Sequence, residues 1–197
     1  MIIAHHLIWT GYGWWLPNDP RGSMSRFIAC DLIAELGELH YGRKRVQPTS
    51  PVIRNFHERA EAVLKYELVQ FAQPDIHVIA EGFLECMTRN KYTCYACAIM
   101  PDHVHLLIRR HRDMGEEMTR ALQEASRLAL QKFAHGGHPI WGGPGWKVFL
   151  ETSGDIRRTI RYIRNNPVKQ RMKPQEWTFV TPYDGWPHVR GNSSTTF

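Results

Sequence analysis

Residues 92–100 and 103–110 are two strand-forming runs with only Pro101 and Asp102 between them. So short a connection cannot carry a crossover, and Pro-Asp is turn chemistry, so the runs must pair as an antiparallel hairpin. The segments around that hairpin alternate in kind. "AHHLIWTGYGWW" near the start alternates poorly but is rich in strand formers, and the turn-forming "PNDPRGS" ends it. A short helix is expected near "CDLIAELGEL". Phe56, Ala60, Val63 and Leu64 recur at helical spacing over residues 55–71, with Pro74 as the stop, and Ile76, Ile79, Phe83 and Met87 do so over residues 74–90. "DMGEEMTRALQEASRLALQKF" carries acids in its first turn and Lys132 in its last, as a helix dipole favours. "WKVFLET" reads as a short strand and "SGDIRRTIRYIRNNP" as a last helix, capped by Ser153 or Asp155 and stopped by Pro167. The order β-α-β-β-α-β, with added helices, predicts an α+β fold. It is a ferredoxin-like split βαβ sandwich, an antiparallel sheet with helices on one face. The other face is expected to be free for a site.

At 197 residues the chain is expected to be a single domain, residues 1–197. No apolar run approaches the roughly 20 residues that span a bilayer. "MIIAHHLIWT" lacks a basic n-region and a small-residue cleavage site, so the expectation is a cytoplasmic protein with no membrane partner. Four cysteines make no disulfide framework in that compartment. Cys94 and Cys97 have CxxC spacing but no second pair or downstream histidines to complete a zinc set. Residues three apart on a strand point to opposite faces, so both are expected as small core residues. The glycine loop "AHGGHPIWGGPG" lacks the ending of a phosphate-binding loop. Twenty-five Lys and Arg against nineteen Asp and Glu give +6, a balance that admits nucleic acid without requiring it.

The hairpin's second run opens with His103, Val104 and His105. On a strand, His103 and His105 share a face, where parallel imidazoles can chelate one divalent cation. Spacing alone favours the plainer reading, two core histidines satisfied by hydrogen bonds. The last helix sets Tyr162 among Arg157, Arg158, Arg161, Arg164, Lys169, Arg171 and Lys173. A packed tyrosine on a solvated basic face is the usual meaning of such a pattern. The sharper meaning is a phenol offered to a phosphodiester, with guanidinium groups on the phosphate oxygens. Asn166 lies one turn beyond Tyr162 on the same face, where its amide oxygen can complete a metal site begun by two histidines.

"MPDHVHLLI", followed by "YIRNNPVK", resembles the single-tyrosine HUH transposases of insertion sequences, and among them the REP-associated tyrosine transposases. The likeness covers residues 92–186, including "WKVFLET" and "PYDGWP". Residues 14–60 match less clearly and read as an elaboration, and "RGNSSTTF" as a frayed tail. The resemblance implies His103 and His105 as paired metal ligands and Tyr162 as nucleophile. It also implies a third ligand from the tyrosine helix, often a Gln four residues after the tyrosine. Asn166 stands there, shorter and just before Pro167, with Asn165 as the alternative. The implied protein is a metal-dependent transposase that cuts single-stranded or hairpin DNA through a 5′-phosphotyrosine, as a monomer or homodimer. Its cofactor would be Mg²⁺ or Mn²⁺; two imidazoles and an amide suit Mn²⁺ better.

Arg157, Arg158, Arg161, Arg164 and Lys169, with Arg43, Lys44 and Arg45 of "YGRKR", are the expected DNA contacts. Only one of the adjacent His5 and His6 can face a site on the sheet. Trp9, Tyr12, Trp14 and Trp15 suit either base stacking or a hydrophobic edge. Tyr183 and Tyr92 rank below Tyr162 as nucleophiles, because neither shares a helical face with an amide. His135, His138 and His188 show no ligand pattern. Two rivals stand beside the enzyme: a non-cleaving binder of hairpin or single-stranded nucleic acid on the same fold, and a structural domain with core histidines. The enzyme is favoured, since a pure binder has no need of His103, His105 and Tyr162 together.

Overall fold

The computed structural model describes residues 1–42, 44–131 and 137–187. Arg43, Lys132, His135, His188 and the tail after it lie outside the described residues. Strand β1 (Ala4–Thr10) and strand β3 (His103–Arg109) are the centre of one antiparallel sheet, and β2 (Cys94–Ile99) and β4 (Trp146–Leu150) are its edges. The spatial order β2-β3-β1-β4, with the β2–β3 hairpin around Pro101-Asp102, is that of a split βαβ sandwich.

The crossover helices α3 (Gln73–Asn90) and α4 (Gly115–Gln131) pack on each other and on one face. Pro74 occupies the first turn of α3, where a missing N–H has no helical partner to lose, and the Asp75 carboxylate accepts the Ala72 N–H at 2.8 Å. Ile76, Ile79, Phe83 and Met87 are buried, as their spacing predicts. They meet Leu7, Trp9, Val104, Leu106 and Ile108 from the sheet, and each such burial stabilises by about 1.5–3 kcal/mol. Gly82 marks the closest approach of the two helices: a Cβ there would stand 2.8 Å from Ser126 Cα.

The opposite face is roofed rather than open. Helix α5 (Ser153–Lys169) lies across β2 and β3 and buries Ile156 and Ile163 against Tyr95, Ala96, Ala98 and Leu107. Its cap is Thr152, one residue before the expected Ser153: the Thr152 hydroxyl accepts the Asp155 N–H at 3.1 Å. Pro167 does not stop it. The proline removes one N–H in the last turn, but it is buried against the sheet, and its carbonyl accepts the Met172 N–H at 2.9 Å. Asn166 therefore keeps helical geometry.

Two local expectations are corrected by long-range contacts. The helix expected over residues 55–71 is α2 (Ser50–Glu61), which follows the one-turn α1 (Asp31–Ala34). The chain after α2 is drawn into pairing, with the Val69 N–H on the Tyr12 carbonyl at 3.1 Å and the Phe71 N–H on the Pro101 carbonyl at 2.7 Å. Val63 and Leu64 instead pack on a small cluster of Leu16, Ile33, Phe56 and Ala60. Cys94 and Cys97 are buried and free but share the α3 face, because a bulge between Cys94 and Ala96 shifts the alternation. Among the described residues no helix is long and apolar enough to cross a membrane.

Candidate active site

His103 and His105 lie on β3 and turn toward α5, with ring centroids 4.9 Å apart and planes at 89°. Their cross-strand partners on β1 are Thr10 and Ile8. The same alternation sends His6 to this face, diagonal to His105, while His5 goes with Leu7 and Trp9 to the other, near Gly115. Two hydrogen bonds organise the rings. His103 Nδ1 is 2.6 Å from the Asp102 carboxylate, which can only accept a hydrogen bond there; the neutral tautomer that donates it has its lone pair on Nε2. His105 Nδ1 is 3.0 Å from His6 Nε2.

Tyr162 projects from α5 onto this group. Its ring lies 5.4 Å from that of His105 and 6.1 Å from that of His6, edge-on to both. It is 46% exposed, and among the described residues its hydroxyl has no hydrogen-bond partner. The other candidate phenols are tied down. Tyr92 donates to Asp113 at 2.7 Å, and burial and that carboxylate push its hydroxyl far above the usual range. Tyr183 donates to the Trp186 carbonyl at 2.6 Å. The Lys169 ammonium stands 5.7 Å from the Tyr162 ring. One turn beyond Tyr162, the Asn166 amide nitrogen is buried without a partner, and a half-turn of the amide would put its oxygen in the same place. Asn165 is exposed.

Burial decides the charge state of two of the histidines. It holds His6 down to about 4, and burial with the neighbouring His103 and His6 holds His105 down to about 2. Burial would by itself raise the Asp102 carboxyl, but the hydrogen bond from His103 keeps it below its ordinary value. Both buried rings have folded values below the ordinary 6.5, so the unfolded chain binds protons first as pH falls. Stability is complete above about 6.5 and declines as pH drops toward 4 and below. At pH 5 each ring should contribute a loss of about 2 kcal/mol. Thermal unfolding of the metal-free protein should therefore fall by roughly 5–15 °C between pH 7.5 and 5. A flat profile would show that the rings are not buried neutral.

The helical period divides the basic residues of α5. Ile156, Ile163 and Pro167 face the sheet. Tyr162, Asn166 and Lys169 occupy one flank, and Arg157, Arg161 and Arg164 the other. Arg157 stands 5.7 Å from the Tyr183 ring, and Arg164 lines a cavity of about 370 Å³ with Gln175, Glu176 and Trp177 beside β2. Arg158 is ion-paired with Asp155. Among the described residues Lys169, not an arginine, is thus the cation at the Tyr162 ring. Lys44 and Arg45 are exposed, with Lys44 3.4 Å from His40, and among the described residues neither is bonded to Tyr162, His103 or His105. Trp9 is buried against Phe83 and Trp141 and is unavailable to a base. His6 is the residue that sequence reasoning left unassigned; the large apolar Leu7 and Trp9, which share parity with His5, are the signal that marks it as the site-facing one.

Among the described residues no three His, Cys, Asp or Glu side chains converge as a ready metal cage. The available donors are the free imidazole nitrogens and the orphaned amide of Asn166. A family model described as "Transposase IS200 like" matches residues 57–166. The solved structures similar to this chain include two transposases. One is a REP-associated tyrosine transposase bound to a REP hairpin, 19% identical over 54% of this chain and 63% of that one, with a TM-score of 0.45. The other is a candidate transposase from Deinococcus radiodurans, 16% identical over 87% and 92%, with a TM-score of 0.38. This chain thus spans less than two thirds of the first. No curated protein matches it.

Proposed function

The chain belongs to the IS200-like transposase family, whose model covers more than half of it, and from that premise we propose that it is a metal-dependent DNA transposase acting through Tyr162 on single-stranded or hairpin DNA. The observation that carries this reading is the free, half-exposed phenol of Tyr162 packed against His105, when the hydroxyls of Tyr92 and Tyr183 are bonded elsewhere. The Tyr162 oxygen attacks the phosphorus of a phosphodiester and loses its proton as the new P–O bond forms. The bond to the 3′-oxygen breaks, and that oxygen leaves as a hydroxyl after taking up a proton. The 5′-phosphotyrosine keeps the bond energy, so attack by another 3′-hydroxyl rejoins strands without ATP.

The residues present fit a divalent ion. His103 offers a free Nε2 fixed by Asp102, His105 a neutral imidazole, and Asn166 a buried amide that lacks a partner. Mg²⁺ or Mn²⁺ bound there would neutralise and polarise the scissile phosphate. Lys169 adds positive charge beside the attacking ring. Incubating the protein with hairpin oligonucleotides bearing single-stranded flanks, with Mn²⁺, should yield a protein–DNA adduct that survives denaturation. Binding without any adduct would favour the non-cleaving rival.

Arg157, Arg161, Arg164 and Lys169 are exposed on α5, and we assign them to the DNA backbone. Four phosphate contacts predict that affinity falls about a hundredfold between roughly 50 and 200 mM salt. Replacing Arg161 by Ala should lower the slope of log affinity against log salt by about 1. An unchanged slope would leave the arginines as a solvated face.

A further inference from the structure

We propose that His6 is a positioning residue for the metal site: it accepts the Nδ1–H of His105 and so fixes Nε2 of His105 as the free lone pair. The inference rests on the reading of His103 and His105 as ligands and adds a residue to it. His6 Nε2 and His105 Nδ1 are 3.0 Å apart. Two lone pairs at that separation would repel, so one of the two nitrogens carries the hydrogen. If His6 carried it, His105 would hold its own hydrogen on Nε2, the nitrogen a metal needs. If His105 carries it, Nε2 is free.

The partner ring shows the same arrangement. His103 Nδ1 is tied to Asp102 at 2.6 Å, which frees its Nε2 in the same sense. Each imidazole of the pair thus has one acceptor behind it, a carboxylate for one and an imidazole for the other. Such outer partners set tautomer and ring orientation in metal sites. His6 is well placed to do so. It sits on a central strand, paired with Leu107 on one side and Val148 on the other, and is buried to 7% exposure. Its ring also lies edge-on to Tyr162 at 6.1 Å, so one side chain braces both the ligand and the nucleophile's ring.

Long-range ¹H–¹⁵N spectra of the imidazoles in the metal-free protein read the tautomers directly. His105 is expected in the Nδ1–H form and His6 with Nε2 unprotonated. Calorimetric titration with Mn²⁺ supplies the second readout. His6→Phe should weaken Mn²⁺ binding by about 10–100-fold and release His105 into a mixture of tautomers. His6→Gln, whose amide oxygen can accept the same hydrogen, should keep most of the affinity. Melting curves establish that each variant is folded, and the wild-type spectrum decides the matter even where His6→Phe is not. A wild-type His105 protonated on Nε2, or unchanged Mn²⁺ affinity in folded His6→Phe, would overturn the assignment. Wild-type protein that takes up no Mn²⁺ would sink the metal reading instead, and the His105 tautomer would still decide the role of His6.

Discussion

Tyr162→Phe is expected to abolish the covalent protein–DNA adduct while leaving hairpin affinity nearly unchanged. Only the phenolic oxygen is lost. The ring that packs edge-on against His105 and His6 remains, and so does the surface beneath the Lys169 ammonium. The hydroxyl has no partner among the described residues, so its removal strands no buried group and should cost little stability. The rate of cleavage should drop by on the order of 10⁴-fold or more, as when a nucleophile is deleted. Tyr183→Phe and Tyr92→Phe are the controls, and both should still form the adduct. Tyr92→Phe should also destabilise the fold by about 0.5–1.5 kcal/mol, because it removes one hydrogen bond to the partly buried Asp113 carboxylate, which keeps His111 and Arg112 beside it. Mass spectrometry of the denatured adduct locates the modified residue. An adduct that persists in Tyr162→Phe would transfer the chemistry to another side chain.

The second large effect is expected from the metal. Chelation should stop cleavage in the wild-type protein and Mn²⁺ should restore it, whereas His103→Ala should stay inactive at any Mn²⁺ concentration that leaves the protein soluble. His103 is the cleaner of the two histidines to remove. It is partly exposed at the start of β3, and its neighbour Asp102 also reaches solvent. The loss should therefore fall on activity rather than folding. His105→Ala is a harsher change: it opens a space in a buried site and leaves His6 Nε2 without a partner, at a cost of about 1–3 kcal/mol. Hairpin binding should survive in His103→Ala, because the assigned phosphate contacts on α5 do not involve it. Cleavage by chelator-treated protein, or by His103→Ala, would overturn the metal reading and leave Tyr162 to be activated by neighbouring side chains alone.

Much of the architecture was legible because it is governed by local rules. The two-residue Pro101-Asp102 link admits only an antiparallel hairpin, and the spacing of Ile76, Ile79, Phe83 and Met87 marks the buried stripe of α3. Residues 62–72 misled because Val63 and Leu64 continue the apolar spacing of α2, while the backbone after them bonds to Tyr12 and Pro101. No local pattern announces a hydrogen bond to a loop so far away in the chain. The bulge at Cys94–Ala96 is of the same kind: one extra residue in β2 reverses which side chains share a face.

That His103 and His105 share one face of a strand and Tyr162 and Asn166 one flank of a helix was readable from residue order alone, since both follow from fixed periods of 2 and about 3.6 residues. Residue order also carries the family to which the chain belongs. Packing in three dimensions was needed to lay α5 over that strand face, to set Lys169 rather than Arg157, Arg161 or Arg164 beside Tyr162, and to carry the helix on through Pro167. It alone brought His6 to His105, residues 99 positions apart, within 3.0 Å. A side chain's own neighbours in sequence set its direction, but what it meets there depends on how separate elements pack, and no period in the chain encodes that distance.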